Sequence, residues 1–281
     1  MSQTASCFPS LESEAAISRC TAIREQLRGA NLFAMPPSPA TSAGDMPTGS
    51  ATASWRISPC PLPLTQEQVA FFTALGPQLL SFYRALNRLY QESIRGSQPV
   101  WISQYLDQGK PEGLITYSRM KRFREFVPAV IRPDVIPTQD GMIITELDSV
   151  PGGIGLTACM SQLYADASVH SPPLGSPRYE LVGGRDGMVR GFASMLQTAQ
   201  GTHTGHVAIV VSEEAKDYRP EMTWLTAQLR ERGLPVWCVE PRHIRFTEDG
   251  LRLRTSDGEH PIGLIYRFYE LFDLPNIPKA E

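Results

Sequence analysis

The sequence predicts an α/β protein in which a region of helices and short strands is followed by a small Rossmann-like parallel sheet. Two continuous apolar runs, over 207–211 and 262–268, predict buried strands of that sheet, because strands covered on both faces lack the alternation of half-buried ones. A helix over 220–232 and a strand over 236–240 follow the first run and complete a βαβ unit. A hairpin over 245–257 precedes the last strand.

The first half of the chain is predicted to be mainly helical. A helix is predicted over 12–28, followed by a linker rich in Pro, Ser, Thr, Gly and Ala over 35–54. A long amphipathic helix begins after Thr65, whose capping box with Gln68 marks the start. We expect its apolar stripe to be core and Gly76-Pro77 to break or kink it. Shorter helices are predicted over 113–126, 156–164 and 187–198.

These elements divide the chain into three segments. Residues 1–54 form an N-terminal helix and linker, and residues 55–204 form a region of helices and strands. Residues 205–281 form the α/β domain. No G-x-G-x-x-G follows the first buried strand and no P-loop is present, so a dinucleotide is not the expected ligand.

Composition excludes several functional classes. The chain has 281 residues, 42% hydrophobic and 20% charged, with a net charge of −3, which is typical of a globular domain without a nucleic-acid or membrane partner. No apolar run has the length of a membrane span and no secretory signal is recognisable. The five scattered cysteines form no C-x-x-C pair, which favours reduced thiols in the cytoplasm and argues against zinc.

The most informative residues follow the turn at 139–141. A short β-branched run over 142–145 predicts a strand, and Glu146 and Asp148 lie two residues apart at its end. Both carboxylates therefore point to one side. Paired hard oxygens suit Mg²⁺, which takes one or two carboxylates and completes its shell with water and phosphate oxygens. The glycine-containing loop that follows, with Gly152 and Gly153, can bring backbone N–H groups close to an anion.

The pattern resembles a known family. An Arg-x-Asp at 132–134, the Glu-x-Asp at 146–148, a Ser and a glycine loop, followed by the Tyr-Arg of a late strand at 266–267, are similar to the eukaryotic-type glutathione synthetases. They are also similar to the glutathionylspermidine synthase group, whose members are circularly permuted ATP-grasp enzymes. The resemblance covers roughly residues 55–274.

The resemblance implies roles for individual residues. Glu146 and Asp148 would hold Mg²⁺ at the phosphates of ATP, and Arg132 and Arg267 would be catalytic groups that bind a substrate carboxylate or phosphate. The substrate-binding set would be Ser149, Gly152, Gly153, Arg132 and Arg267. Asp148 stands where those enzymes usually carry Asn. The lysines and flexible glycine loop that grip the nucleotide would lie beyond Glu281, so we expect an N-terminal fragment with an incomplete ATP-grasp architecture. We expect residues 1–281 alone to bind ATP weakly or not at all and to show no ligase turnover.

The leading hypothesis is therefore an ATP-dependent carboxylate–amine or carboxylate–thiol ligase that acts through an acyl phosphate, on a small carboxylate and an amine or peptide. The oligomeric state is left open, with a homodimer among the alternatives. A second hypothesis is a non-catalytic α/β module that binds a small anionic ligand. A third is a glycosyltransferase-like sheet with Asp-x-Asp metal chemistry.

Overall fold

The computed structural model describes residues 14–32, 56–170 and 180–269, and these ranges form a mixed α/β protein. The helices are α1 (Glu14–Gly29), α2 (Gln66–Ile94), α3 (Val100–Asp107), α4 (Glu112–Ser118), α5 (Ile154–His170), α6 (Gly187–Gln200) and α7 (Arg219–Glu231). The strands are β1 (Arg132–Thr138), β2 (Gly141–Asp148), β3 (His206–Val211), β4 (Val236–Val239), β5 (Ile244–Thr247), β6 (Gly250–Thr255) and β7 (Gly258–Phe268). The predicted α/β class is confirmed at this level.

The strands form two separate sheets. β1 and β2 make an antiparallel ribbon, whereas the other five strands form a sheet of order β4-β3-β7-β6-β5. β3 runs parallel to both β4 and β7, and the β5–β6 and β6–β7 pairs are antiparallel. The predicted parallel strands and the predicted hairpin are both present, but the hairpin joins the sheet through β6, so the sheet is mixed and not purely parallel.

The chain folds into two compact units, each assembled from three separated stretches. The helical unit consists of Met1–Pro63, Gly153–Ser194 and Asp217–Pro235, and the sheet unit consists of Leu64–Gly152, Met195–Lys216 and Val236–Glu281. The predicted segment boundaries at residues 54 and 204 stay a prediction. The predicted linker over 35–54 lies outside the described residues.

The helical unit has its core between α1, α5 and α7. Ile23 and Leu27 of α1 are buried with Cys159 and Leu163 of α5, and Trp224 of α7 packs against them. This apolar spacing of three and four residues places one face of each helix inward. The packing of α1 and α7 against α5 holds this helix in place within the helical unit.

The sheet unit is centred on β3. Residues 207–211 of this strand are all buried, as a continuous apolar run predicts for a strand with neighbours on both sides. On one face Ala208 and Val210 pack with Leu253 of β6. The polar groups that follow the strand are consequently held at a defined edge of the sheet.

Helix α2 confirms one prediction and corrects another. The Thr65 side chain accepts from the Gln68 N–H and the Gln68 side chain accepts from the Thr65 N–H, which completes the capping box. The helix continues through Pro77 without a break. Its apolar stripe was predicted to be core, but only part of it is buried: Leu75 and Leu79 are buried, whereas Phe72, Phe82 and Leu86 are exposed.

Elsewhere the helix boundaries differ from those predicted. Helix α4 ends at Ser118, and a short 3₁₀ turn over Lys121–Phe123 replaces the rest of the predicted helix over 113–126. Helix α3, which the sequence analysis did not anticipate, precedes it. Helices α5 and α6 extend beyond their predicted ends.

Candidate functional site

The candidate site is built on the β1–β2 ribbon of the sheet unit. Residues 135–138 pair with 144–141 in regular register, and the register then shifts so that Asp134 lies opposite Glu146. Thr145 is the extra residue of this bulge, and its hydroxyl donates to the Asp134 carbonyl oxygen at 3.3 Å. Bulges of this kind redirect the side chains that follow them.

The bulge brings four charged residues to one face of the ribbon. Arg132 lies directly opposite Asp148, and Asp134 lies directly opposite Glu146. Residues opposite each other on an antiparallel pair point to the same side, as do residues two apart on one strand. Glu146 and Asp148 therefore share a face, as predicted from their spacing, and the face carries three carboxylates and one guanidinium.

The Arg132 side chain contacts carboxylates on this face and a carbonyl oxygen of the loop after β2. Its Nε lies 3.3 Å from Asp134 Oδ1, its Nη2 lies 3.2 Å from Asp148 Oδ2, and its Nη1 donates to the Gly152 carbonyl oxygen at 3.2 Å. Nη1 thus makes a hydrogen bond, whereas Nε and Nη2 make ion-pair contacts, and Nε has no hydrogen-bond acceptor among the described residues. The side chain is nevertheless 42% exposed, so this ion-pair network is accessible to solvent.

The two predicted metal carboxylates have different surroundings. Asp148 Oδ1 accepts the Val150 N–H at 2.8 Å while Oδ2 faces Arg132. Glu146 is exposed and has no hydrogen-bond or ion-pair partner within the described ranges. Asp134 and Glu146 are like charges in opposite positions of the ribbon, an arrangement that is unfavourable without a cation.

On this face the protein would supply only two carboxylates to a divalent cation. In the part of the chain that the structure describes, no group of three or more His, Cys, Asp or Glu side chains is arranged to hold a metal. The carboxylate oxygens of Glu146 and Asp148 are nevertheless hard donors on a shared, accessible face. Mg²⁺ is commonly held by one or two carboxylates, with water and substrate phosphates at the remaining positions.

The loop after β2 is held from the sheet unit at two points. The Ser149 hydroxyl lies 3.0 Å from the hydroxyl of Tyr83 on α2. The Gly152 carbonyl oxygen accepts from Arg132. The structure thus gives each of these predicted substrate-binding residues an internal partner.

Gly153 begins the helical unit, and its N–H is already used. It donates to Glu221 Oε1 at 2.7 Å, and the Leu156 N–H donates to Glu221 Oε2 at 3.0 Å. Glu221 is in the first turn of α7 and is 6% exposed. A carboxylate at a helix N-terminus is stabilised by the unpaired N–H groups and the helix dipole. The anion at this glycine turn is therefore a side chain of the protein itself.

Gly155 allows α5 to approach α7 this closely. A Cβ atom at Gly155 would contact the Glu221 carbonyl group, lying 2.8 Å from its carbon atom. Sequence reasoning missed Glu221, which is 68 residues from Gly153. The available signal was the position of Glu221 at the start of a helix, which indicated an N-terminal acid but not its partner.

Arg267 lies near the end of β7, beside Val210 of β3. Its guanidinium lies 5.5 Å from the centre of the Tyr269 ring and donates to the Tyr269 carbonyl oxygen. Arg132 is on the ribbon and Arg267 is on the five-stranded sheet. Their predicted convergence on one substrate stays a prediction.

A second cluster of titratable side chains lies at the start of β3. The His206 ring centre is 4.3 Å from that of His260 and 4.6 Å from that of Trp237. His260 Nε2 lies 3.5 Å from Asp257 Oδ1. Burial, and then the neighbouring His260 imidazole, lower the pKa of His206 below its ordinary value of 6.5. This cluster favours a neutral His206.

Comparison with protein-family models and with curated proteins finds no match to this chain. Among the described helices, none combines the length and apolar character needed to cross a bilayer.

Proposed function

We propose that this chain carries the metal-binding and substrate-binding part of an ATP-dependent carboxylate–amine or carboxylate–thiol ligase of the ATP-grasp type. The observation that carries the proposal is the shared face of Glu146 and Asp148 on the ribbon, with Arg132 opposite Asp148. In such a reaction ATP phosphorylates a carboxylate to an acyl phosphate, and an amine or thiol displaces the phosphate. Bound Mg²⁺ would neutralise charge on the phosphate oxygens.

The ribbon face supplies the electrostatic part of this function. Glu146 offers an exposed carboxylate without a protein partner, and Asp148 is oriented by the Val150 N–H. Together they would hold the cation from one side and leave its other positions for water and phosphate. Since Asp148 replaces the Asn usual in the related enzymes, the face has an additional negative charge for the cation.

The arginines supply the complementary positive charge. Arg267, held against Tyr269 near the end of β7, would bind a carboxylate or phosphate beyond the carboxyl ends of the parallel strands, where ligands of such sheets bind. Guanidinium groups suit these anions because of their planar pair of N–H donors. The chain's contribution is thus binding and orientation, with no covalent enzyme intermediate.

The test measures Mg²⁺-dependent ADP formation in the longer enzyme that the resemblance implies, with mixtures of amino acids and peptides as carboxylate and amine donors. Glu146→Gln and Asp148→Asn should each reduce substrate-stimulated turnover by at least about 10²-fold, the usual effect of removing one preorganised charge-stabilising group. Asp140→Asn, in the turn of the same ribbon, is the matched control and should leave turnover unchanged.

Two outcomes would count against the ligase. Turnover that survives both carboxylate substitutions would show that the metal lies elsewhere. Stoichiometric binding of a small anion by the longer enzyme, without any ATP turnover, would instead favour the non-catalytic α/β module.

A further inference from the structure

A basic and apolar surface lies on the sheet unit, at the end of α4 and the 3₁₀ turn that follows it. Residues 117–126 contain four basic residues and one acidic residue, Glu125, whereas the whole chain has a net charge of −3. The net charge disfavours an anionic partner, but it conceals this local excess of positive charge. The basic turn, as this surface is named below, consists of the exposed residues Tyr117, Met120, Lys121, Arg122, Arg124 and Phe126.

The first feature of the basic turn is its positive charge. Arg119, just before it, is paired with Asp107 of α3. Lys121, Arg122 and Arg124 are exposed and have no ion-pair partner in the part of the chain that the structure describes. Like charges so close along the chain repel one another. Their clustering is therefore unfavourable in the protein alone and favourable against an anionic partner.

The second feature is the apolar surface among these charges. Met120 and Phe126 are 38% and 65% exposed. On α2, Leu86 and Phe82 are 43% and 49% exposed, and they lie beside Asn87, which contacts the backbone of the basic turn. Apolar surface rimmed by polar residues is typical of sites that bind a protein or a membrane.

The backbone of the basic turn is already hydrogen-bonded within the protein. Asn87 Nδ2 donates to the carbonyl oxygens of Arg124 and Phe126, at 2.7 and 3.1 Å. Three more carbonyl oxygens of the turn accept from the N–H groups three residues further along the chain. Unpaired backbone groups make it costly to bring an irregular segment into an apolar layer. Because these groups are paired, the turn can lose its contact with water at a small cost.

The aromatic rings favour apolar contact over base stacking. The Arg122 guanidinium lies 5.0 and 4.8 Å from the ring centres of Tyr117 and Phe123, so it covers one face of each ring on which a nucleotide base would stack. Phe126 meets Phe123 edge to face, with the ring centres 6.0 Å apart. The side chains of Met120 and Phe126 offer no hydrogen-bonding groups to a base. These contacts favour lipid over nucleic acid as the partner.

We propose that the basic turn docks on a membrane surface that contains anionic phospholipids. Met120 and Phe126 enter the boundary between headgroups and acyl chains, as the apolar residues of interfacial segments do. Lys121, Arg122 and Arg124 contact the headgroup phosphates, while their aliphatic stems lie alongside the inserted side chains. This interaction goes beyond the proposed ligase function and does not depend on it.

The first measurement is co-sedimentation of the 281-residue chain with phosphatidylcholine vesicles, with and without one third phosphatidylglycerol. The chain should bind the anionic vesicles only, and added salt should weaken binding. Each basic residue near such a surface increases the partition coefficient about fivefold. The triple variant Lys121→Gln, Arg122→Gln, Arg124→Gln should therefore bind about 10²-fold more weakly.

The matched control is the triple variant Arg242→Gln, Arg245→Gln, Arg254→Gln. These arginines are exposed, lie in or next to the β5–β6 hairpin, and pair with Glu240 or Glu259. The control changes the net charge of the chain by the same amount, and the ion pairs that it removes are weak because water screens them. Vesicle binding should stay at the wild-type value.

The second measurement tests insertion of the apolar side chains. Vesicles with brominated acyl chains should quench additional fluorescence in Phe126→Trp, but not in Phe246→Trp, at a β5 position that is 70% exposed. Phe126→Ala should weaken vesicle binding about tenfold, because the exposed part of the ring would no longer be buried in lipid. Phe246→Ala should bind like wild type.

The possible results decide the proposal. It is overturned if wild type does not bind the anionic vesicles, if the two triple variants bind equally well, or if Phe126→Trp shows no additional quenching. A single-stranded oligonucleotide that binds the chain when anionic vesicles do not would also overturn it and assign the basic turn to nucleic acid. Circular dichroism of each variant shows that the fold is kept.

Discussion

Replacement of Glu221 tests how the glycine turn and α5 are held in place. The carboxylate accepts from the N–H groups of Gly153 and Leu156 at 2.7 and 3.0 Å and is almost fully buried. Hydrogen bonds to a charged group contribute about 1.5–3 kcal/mol each. Glu221→Gln preserves the shape but leaves one N–H facing an amide NH₂, so the free energy of unfolding should fall by about 2 kcal/mol. Glu221→Ala leaves both N–H donors without an acceptor and should lower the free energy of unfolding by about 4 kcal/mol.

The matched control is Glu231→Gln at the opposite end of the same helix. Glu231 is exposed and interacts only with the neighbouring Gln228 among the contacts of the described chain, so its replacement should change stability by less than about 0.5 kcal/mol. Urea unfolding followed by fluorescence of Trp224, which packs in the same helical core, gives the free energies. Amide hydrogen exchange adds the local test, because Gly153 and Leu156 should lose protection in the alanine variant. Equal stability of Glu221→Gln and wild type, with unchanged exchange, would refute the capping argument.

Three further changes probe other parts of the molecule. Gly155→Ala forces a methyl group against the α7 backbone and should destabilise the protein by about 1–3 kcal/mol or more. The control Gly191→Ala has no atom near its Cβ position and should stabilise the protein by about 0.5–1 kcal/mol. Thermal unfolding measures both effects. Burial and the neighbouring His260 lower the pKa of His206 in the folded state, so the unfolded chain binds the proton more readily and stability should fall as the pH falls below about 6.5. His206→Gln should flatten that part of the stability profile. An unchanged slope would refute the assignment. Burial raises the pKa of the Cys159 thiol to about 11, so iodoacetamide at pH 8 should modify this thiol only after unfolding, as peptide mass spectrometry would show.

Local patterns in the sequence were sufficient for the elements that are stabilised locally. The Thr65 capping box, the buried run at 207–211 and the hairpin turning at 248–250 are each determined by a few neighbouring residues, and each has the predicted structure. The stripe on α2 was interpreted wrongly as core. Periodicity identifies an apolar face of a helix, but it does not reveal whether another element covers that face, and Phe82 remains 49% exposed.

At the candidate site, too, local sequence patterns predicted only part of the geometry. The spacing of Glu146 and Asp148 correctly predicted their shared face, but a regular hairpin from the same turn would pair Arg132 with Leu147. Only the extra residue, Thr145, places Arg132 opposite Asp148. A single sequence gives no clear signal for such a bulge. The partner of Gly153 was equally hidden, because Glu221 comes from a helix distant in sequence.

The most direct test of the central claim is paramagnetic broadening of backbone amide signals by Mn²⁺ in ¹⁵N-labelled protein. The proposal predicts the strongest broadening at Glu146 and Asp148, with Arg132 and Asp134 on the same face of the ribbon also affected. The broadening should disappear in Glu146→Gln. Selective broadening around His206 and His260 instead, or uniform weak broadening over the whole chain, would contradict a metal site on this ribbon.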